Sequence, residues 1–72
     1  MRMRYKIRQG SQSAHCCFAF TIVDSENPEG FVDQYGYRHY DVICEAFEQS
    51  EAELVCAALN GGEFVYLEKE DV

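Results

Sequence analysis

The sequence is poor in basic residues, proline and long apolar runs. Six Lys and Arg stand against 13 Asp and Glu in 72 residues, a net charge of −7. Binding nucleic acid through its phosphates needs a basic patch, so no direct nucleic-acid partner is expected. One Pro and five Gly exclude a collagen-like or linker composition. No apolar stretch approaches the ~18–20 residues of a membrane span, so no membrane partner is expected either. The basic residues 2–8 and the apolar run 16–23 loosely imitate a secretion leader, but a polar stretch over residues 9–13 separates them and no small-x-small cleavage site follows. The expected location is therefore the cytoplasm, with reduced thiols. Phosphate-cradling Gly-rich loops, G-x-S-x-G and H-E-x-x-H do not occur.

An apolar fraction of 47% is enough for a folded domain and too high for a disordered chain. A single domain over residues 1–72 is expected, with a thin core worth only about 3–5 kcal/mol net. The charge is strongly segregated. Residues 1–23 hold Arg2, Arg4, Lys6 and Arg8 and no acid, a charge of +4; residues 24–72 hold all 13 acids against Arg38 and Lys69, a charge of −11; together they make the −7.

Residues 2–8 alternate strictly, Arg2, Arg4, Lys6 and Arg8 on one face and Met3, Tyr5 and Ile7 on the other, which predicts a half-buried strand. A second strand is expected over 15–24. Cys16, Phe18, Phe20 and Ile22 would face the core, with the weakly polar opposite face partly covered too. The run Ser25-Glu26-Asn27-Pro28-Glu29-Gly30 reads as a loop. A tight turn is expected near residues 33–36, then a strand over 37–47 with Tyr40, Val42, Cys44 and Ala46 on one side and Asp41, Ile43, Glu45 and Phe47 on the other. Ser50-Glu51-Ala52-Glu53 has the form of a capping box opening a helix to about Leu59. Leu54, Val55, Ala58 and Leu59 would make its apolar stripe, and Gly61 would close it with a left-handed cap. Residues 63–68 read as a last strand, apolar on both faces. The expected fold is α+β in the order β-β-β-α-β, a four-stranded, mostly antiparallel sheet with one short helix on one face.

One helix covers one sheet face. The other would show the basic stripe beside residues such as Ile43 and Phe47, either as a contact surface or under a folded-back segment 25–39. The basic stripe itself is read chiefly as edge protection or as cross-strand pairing with Asp41, Glu45 or Glu68.

His15, Cys16, Cys17, Cys44 and Cys56 are metal-ligating or nucleophilic types, but zinc sites use C-x₂₋₄-C pairs and Cys16 and Cys17 are adjacent. Core thiols are the favoured reading, with no metal, no cofactor and no catalytic residue expected. The strongest binding candidate is the Tyr-rich segment after the acidic turn. Tyrosines supply rigid contact area with a polar tip. The partner-binding residues expected there are Glu26, Glu29, Asp33, Tyr35, Tyr37 and Arg38.

Ile43-Cys44-Glu45-Ala46-Phe47-Glu48-Gln49-Ser50 runs directly into Glu51-Ala52-Glu53-Leu54-Val55-Cys56-Ala57-Ala58-Leu59-Asn60. A strand ending in C-x-x-F, a capped acidic turn and a short helix ending in A-L-N resembles what small phage and prophage accessory proteins carry. The resemblance covers about a quarter of the chain and transfers no residue roles. Some such proteins inhibit bacterial defence systems, as anti-CRISPR proteins do, by binding a host protein without catalysis. It implies a non-enzymatic interaction protein, in the host-cell cytoplasm, whose carboxylates block a host nucleic-acid-binding protein. Two other readings stand beside it: a self-assembling protein, a homodimer in its simplest form, pairing through an open sheet face, and a small Cys/His metal-binding module.

Overall fold

The computed structural model describes residues 3–12 and 18–70. The expectations placed on Arg2, His15, Cys16 and Cys17 therefore lie outside the described residues. The chain forms β1 (Tyr5–Gln9), β2 (Phe20–Val32), β3 (Arg38–Ala46) and α1 (Gln49–Asn60). The fold is α+β, with a three-stranded antiparallel sheet in the order β1-β2-β3 and one helix. Among the described residues no helix is long and apolar enough to cross a membrane.

The expected fourth strand is a correction. Residues 63–68 run parallel to β1 but bridge it at a single position, Ile7 to Tyr66. There the Ile7 N–H donates to Val65 O at 2.9 Å and Leu67 N–H donates to Ile7 O at 2.7 Å. Two residues earlier on that edge the helix has taken the strand's place. Asn60 Oδ1 accepts the Tyr5 N–H at 3.0 Å and Asn60 Nδ2 donates to Tyr5 O at 2.9 Å. A side-chain amide offers the same donor and acceptor pair as a peptide, so it satisfies the edge without a fourth strand.

β2 runs on through the expected loop over 25–30, a second correction. Its pairing with β3 is irregular there, with Asp24 opposite Asp41, Pro28 opposite Tyr40 and Val32 opposite Arg38. Pro28 has no N–H to give, which confines a proline to bulges and edges of a sheet. Opposite it, Tyr40 finds its partner in Gln12, whose Nε2 donates to Tyr40 O at 2.6 Å and whose Oε1 accepts the Tyr40 N–H at 3.2 Å.

A shift between Ile22 and Val23 inserts Ile43 as the extra residue of a bulge, since Ile22 pairs with Cys44 and Val23 with Val42. The bulge overturns the expected common face of Tyr40, Val42, Cys44 and Ala46. Cys44 and Ala46 join the helix-side core with Ile7, Ile22, Ala52 and Cys56, whereas Tyr40 and Val42 pack on the opposite side against Val23, Tyr37 and Leu67. The apolar faces of residues 63–68 divide likewise, Tyr66 to one core and Leu67 to the other. The second sheet face is thus covered by the turn of the hairpin and the final segment. Full burial of Ile7 and of Ile22 stabilises the fold by about 1.5–3 kcal/mol each.

The helix presents a different face from the one its large apolar residues suggest. Ala52 and Cys56 are buried, Val55 is partly buried, and Leu54 is 73% exposed with Leu59 and Ala58 also outward. Small residues at i and i+4 let the helix axis approach the sheet closely enough for Asn60 to reach β1. The cap is also displaced. Glu48 is the N-cap and makes no side-chain cap bond, and Glu51, not Glu53, reaches back to accept the Phe47 N–H at 3.1 Å. Gly61 closes the helix in the left-handed region as expected, at φ 85°.

Candidate functional site

The β2–β3 hairpin is an arm that reverses where the turn was expected. Asp33 builds it: its Oδ1 accepts the Tyr35 and Tyr37 N–H groups at 2.9 and 3.1 Å, and its N–H donates to Tyr37 O at 2.8 Å. Gly36 completes the turn at φ 89°, where a side chain would be strained. Its carbonyl accepts the Glu70 N–H at 2.7 Å, which straps the final segment to the arm.

The same carboxylate anchors the arm to the sheet. Arg8 Nη2 donates to Asp33 Oδ2 at 2.7 Å, and His39 Nε2 lies 2.9 Å from that oxygen. Burial alone would disfavour the charged carboxylate. The Arg8 guanidinium, the Tyr37 N–H, His39 and the Tyr35 N–H outweigh it and bring Asp33 down to about 2. Arg8 is only 4% exposed, with its guanidinium 4.7 Å from the centre of the Tyr37 ring. The His39 ring also packs against Phe31, tilted by 34° with the ring centres 4.3 Å apart, and its Nδ1 is 3.9 Å from Glu29.

Two further ion pairs finish the fastening. Arg4 grips Asp24 through two bonds of 2.9 and 2.8 Å, which lowers the Asp24 carboxyl, chiefly through those bonds, and raises Arg4 for the same reason. Arg38 grips Glu70 through bonds of 2.6 and 3.0 Å and lowers its carboxyl likewise. The cross-strand partners anticipated for the basic stripe, Asp41, Glu45 and Glu68, are not the ones used by Arg4 and Arg8.

The six residues expected at a binding surface therefore separate. Glu26, Glu29 and Tyr35 lie on the outside, Tyr35 being 61% exposed. Asp33 and Tyr37 are turned inward as parts of the arm's anchor, and Arg38 is engaged by Glu70. Phe31, exposed beside His39, joins the outer group.

Between the arm, the end of β1 and the final segment lies a pocket of about 440 Å³, whose lining includes Arg8, Gly10, Tyr35, Tyr37 and Lys69. Lys69 and Gly10 carry no signal for such a role in the sequence, because the pocket is assembled from three separated segments. The two thiols among the described residues are elsewhere. Cys44 and Cys56 are free and sit in the helix-side core, where burial pushes both thiols up and away from the reactive thiolate. Among the described residues no group of three or more His, Cys, Asp or Glu is placed to hold a metal ion.

No protein-family model, no curated protein and no solved structure matches this chain.

Proposed function

We propose that this chain is a non-enzymatic protein-interaction module that docks through the outer surface of the β2–β3 arm onto a basic partner. The observation that carries this reading is the sorting of charge. Arg4, Arg8 and Arg38 are each spent on an internal carboxylate, whereas Glu26, Glu29, Asp41 and Glu68 remain on the exterior. Near the arm's acids stand two exposed aromatics, Phe31 and Tyr35. Carboxylates set the approach and the register of such a contact, and rigid aromatic rings supply its affinity. The arm is strapped down at Asp33 and Gly36, so little ordering entropy is lost on docking.

The partner class that suits this surface is a nucleic-acid-binding protein, whose basic channel is complementary to a carboxylate-bearing arm. A phage-type inhibitor of a host defence protein works in this way. The test is capture of bacterial proteins on the immobilised chain, followed by nucleic-acid displacement from the captured protein. Binding at low salt, release at high salt, displacement of nucleic acid by the free chain and about tenfold weaker binding by the Glu26→Gln/Glu29→Gln variant are expected. Salt-insensitive binding, or unchanged affinity in that variant, would overturn the reading.

A further inference from the structure

The pocket beside the arm has a chemistry opposite to that of the rest of the molecule. Acids outnumber bases 13 to 6 in the chain, yet among the described residues no carboxylate lines this pocket and two cations do, the buried Arg8 and the exposed Lys69. The Tyr37 ring lies between them, 4.7 Å from the Arg8 guanidinium and 5.7 Å from Lys69 Nζ. Asp33 offsets the charge of Arg8, whereas Lys69 has no carboxylate partner among the described residues, so the positive charge left over in the pocket is that of Lys69.

Each cation keeps unused donors. Two of the five N–H groups of Arg8 are engaged, by Gln9 O at 3.2 Å and by Asp33, and its buried Nε has no hydrogen-bond partner among the described residues. Lys69 has Glu68 and Glu70 as chain neighbours, but Glu70 is taken by Arg38 and Lys69 is turned to the Tyr37 ring instead. The Gly36 carbonyl fixes this placement through the Glu70 N–H, with the Lys69 side chain lying close against Gly36. Asp33 stands behind Arg8 and orients it, much as a carboxylate behind a metal-binding histidine orients that ring.

From this we infer that the pocket is a binding site for a small planar organic anion, an aromatic carboxylate, with its carboxylate between Arg8 and Lys69 and its ring against Tyr35 and Tyr37. Guanidinium and carboxylate are matched in planar geometry, and a pocket of this volume lies in the range of small-ligand sites. The site shares Tyr35 with the outer surface proposed for docking but uses none of that surface's carboxylates.

The test is an amide-detected NMR titration of the whole chain with benzoate, run in parallel with acetate and with inorganic phosphate. Saturable shifts at Gly10, Tyr35 and Lys69 with a Kd of about 1 mM or tighter are expected for benzoate. Acetate, which lacks the ring, should bind about tenfold more weakly. Lys69→Gln, on the surface and outside both cores, should weaken benzoate about tenfold while leaving the spectrum folded. Tyr35→Ala should weaken benzoate and leave acetate unchanged. Absence of saturation, equal affinity in Lys69→Gln, or saturation by phosphate with none by benzoate would overturn the assignment.

Discussion

The two faces of the sheet are held by different physics. On the helix side Ile7, Ile22, Ala46, Ala52 and Cys56 meet as a dry apolar cluster. On the arm side Val23, Tyr37 and Leu67 are fewer, and the structure there depends on Arg8, Asp33 and the Tyr37 ring. Apolar burial is insensitive to pH, whereas a buried ion pair holds only while both partners are charged. The helix side is thus a scaffold, and the arm side, which carries the candidate surfaces, is fastened by interactions that conditions can loosen.

That contrast can be broken most forcefully at Asp33. Asp33→Ala leaves Arg8 buried without its carboxylate and should cost about 3–5 kcal/mol, close to the whole stability of so small a domain. Ile22→Ala should cost a similar 2–5 kcal/mol through its cavity. The difference between them lies in pH. Asp33 has a folded value of about 2 against an ordinary 3.8, so its contribution is present above about pH 4 and is lost as the pH falls towards 2. Chemical denaturation from pH 6 to 2 should therefore show a weaker acid dependence in Asp33→Ala, which keeps only the shares of Asp24 and Glu70, than in Ile22→Ala, which keeps all three.

A smaller effect is expected where the helix grips the sheet. Asn60→Ala removes the acceptor of the Tyr5 N–H, one of the two donors to the Tyr5 carbonyl and the donor to the Glu63 carbonyl, a cost of about 1–3 kcal/mol. Hydrogen exchange at the Tyr5 amide should accelerate in that variant, with the amides of the arm little changed. Smallest of all is Leu54→Ala. Leu54 is 73% exposed, and its replacement should change the stability read by thermal unfolding by no more than about 0.5 kcal/mol.

The Leu54 prediction marks where the sequence was hard to read. A hydrophobic stripe is usually found from its largest residues, and here Ala52, Cys56 and Asn60 face the sheet because close approach mattered more than apolar volume. The alternation in residues 3–8, the turn at 33–36 and the existence of the helix were legible, since each rests on short-range spacing or on glycine. The run of β2 through Pro28 was not, because the side chain that compensates for the proline, Gln12, is distant in the chain. Of the candidate site, the exposed Glu26, Glu29 and Tyr35 were legible as surface residues. The inward roles of Asp33 and Tyr37 were hidden, because their partner Arg8 looked like one member of a solvated stripe.

Ile43 carries a consequence of its own. Its side chain is half out in solvent, and many residues could stand there at little cost. Its peptide unit is another matter. One residue more or less sets the parity of everything on one side of it: without the extra residue, Tyr40 and Val42 would turn to the helix and leave Val23, Tyr37 and Leu67 without them. The position is therefore permissive to substitution and intolerant of deletion. Length, rather than side-chain identity, is what the molecule stores at this point, and it lets one continuous strand serve two interiors.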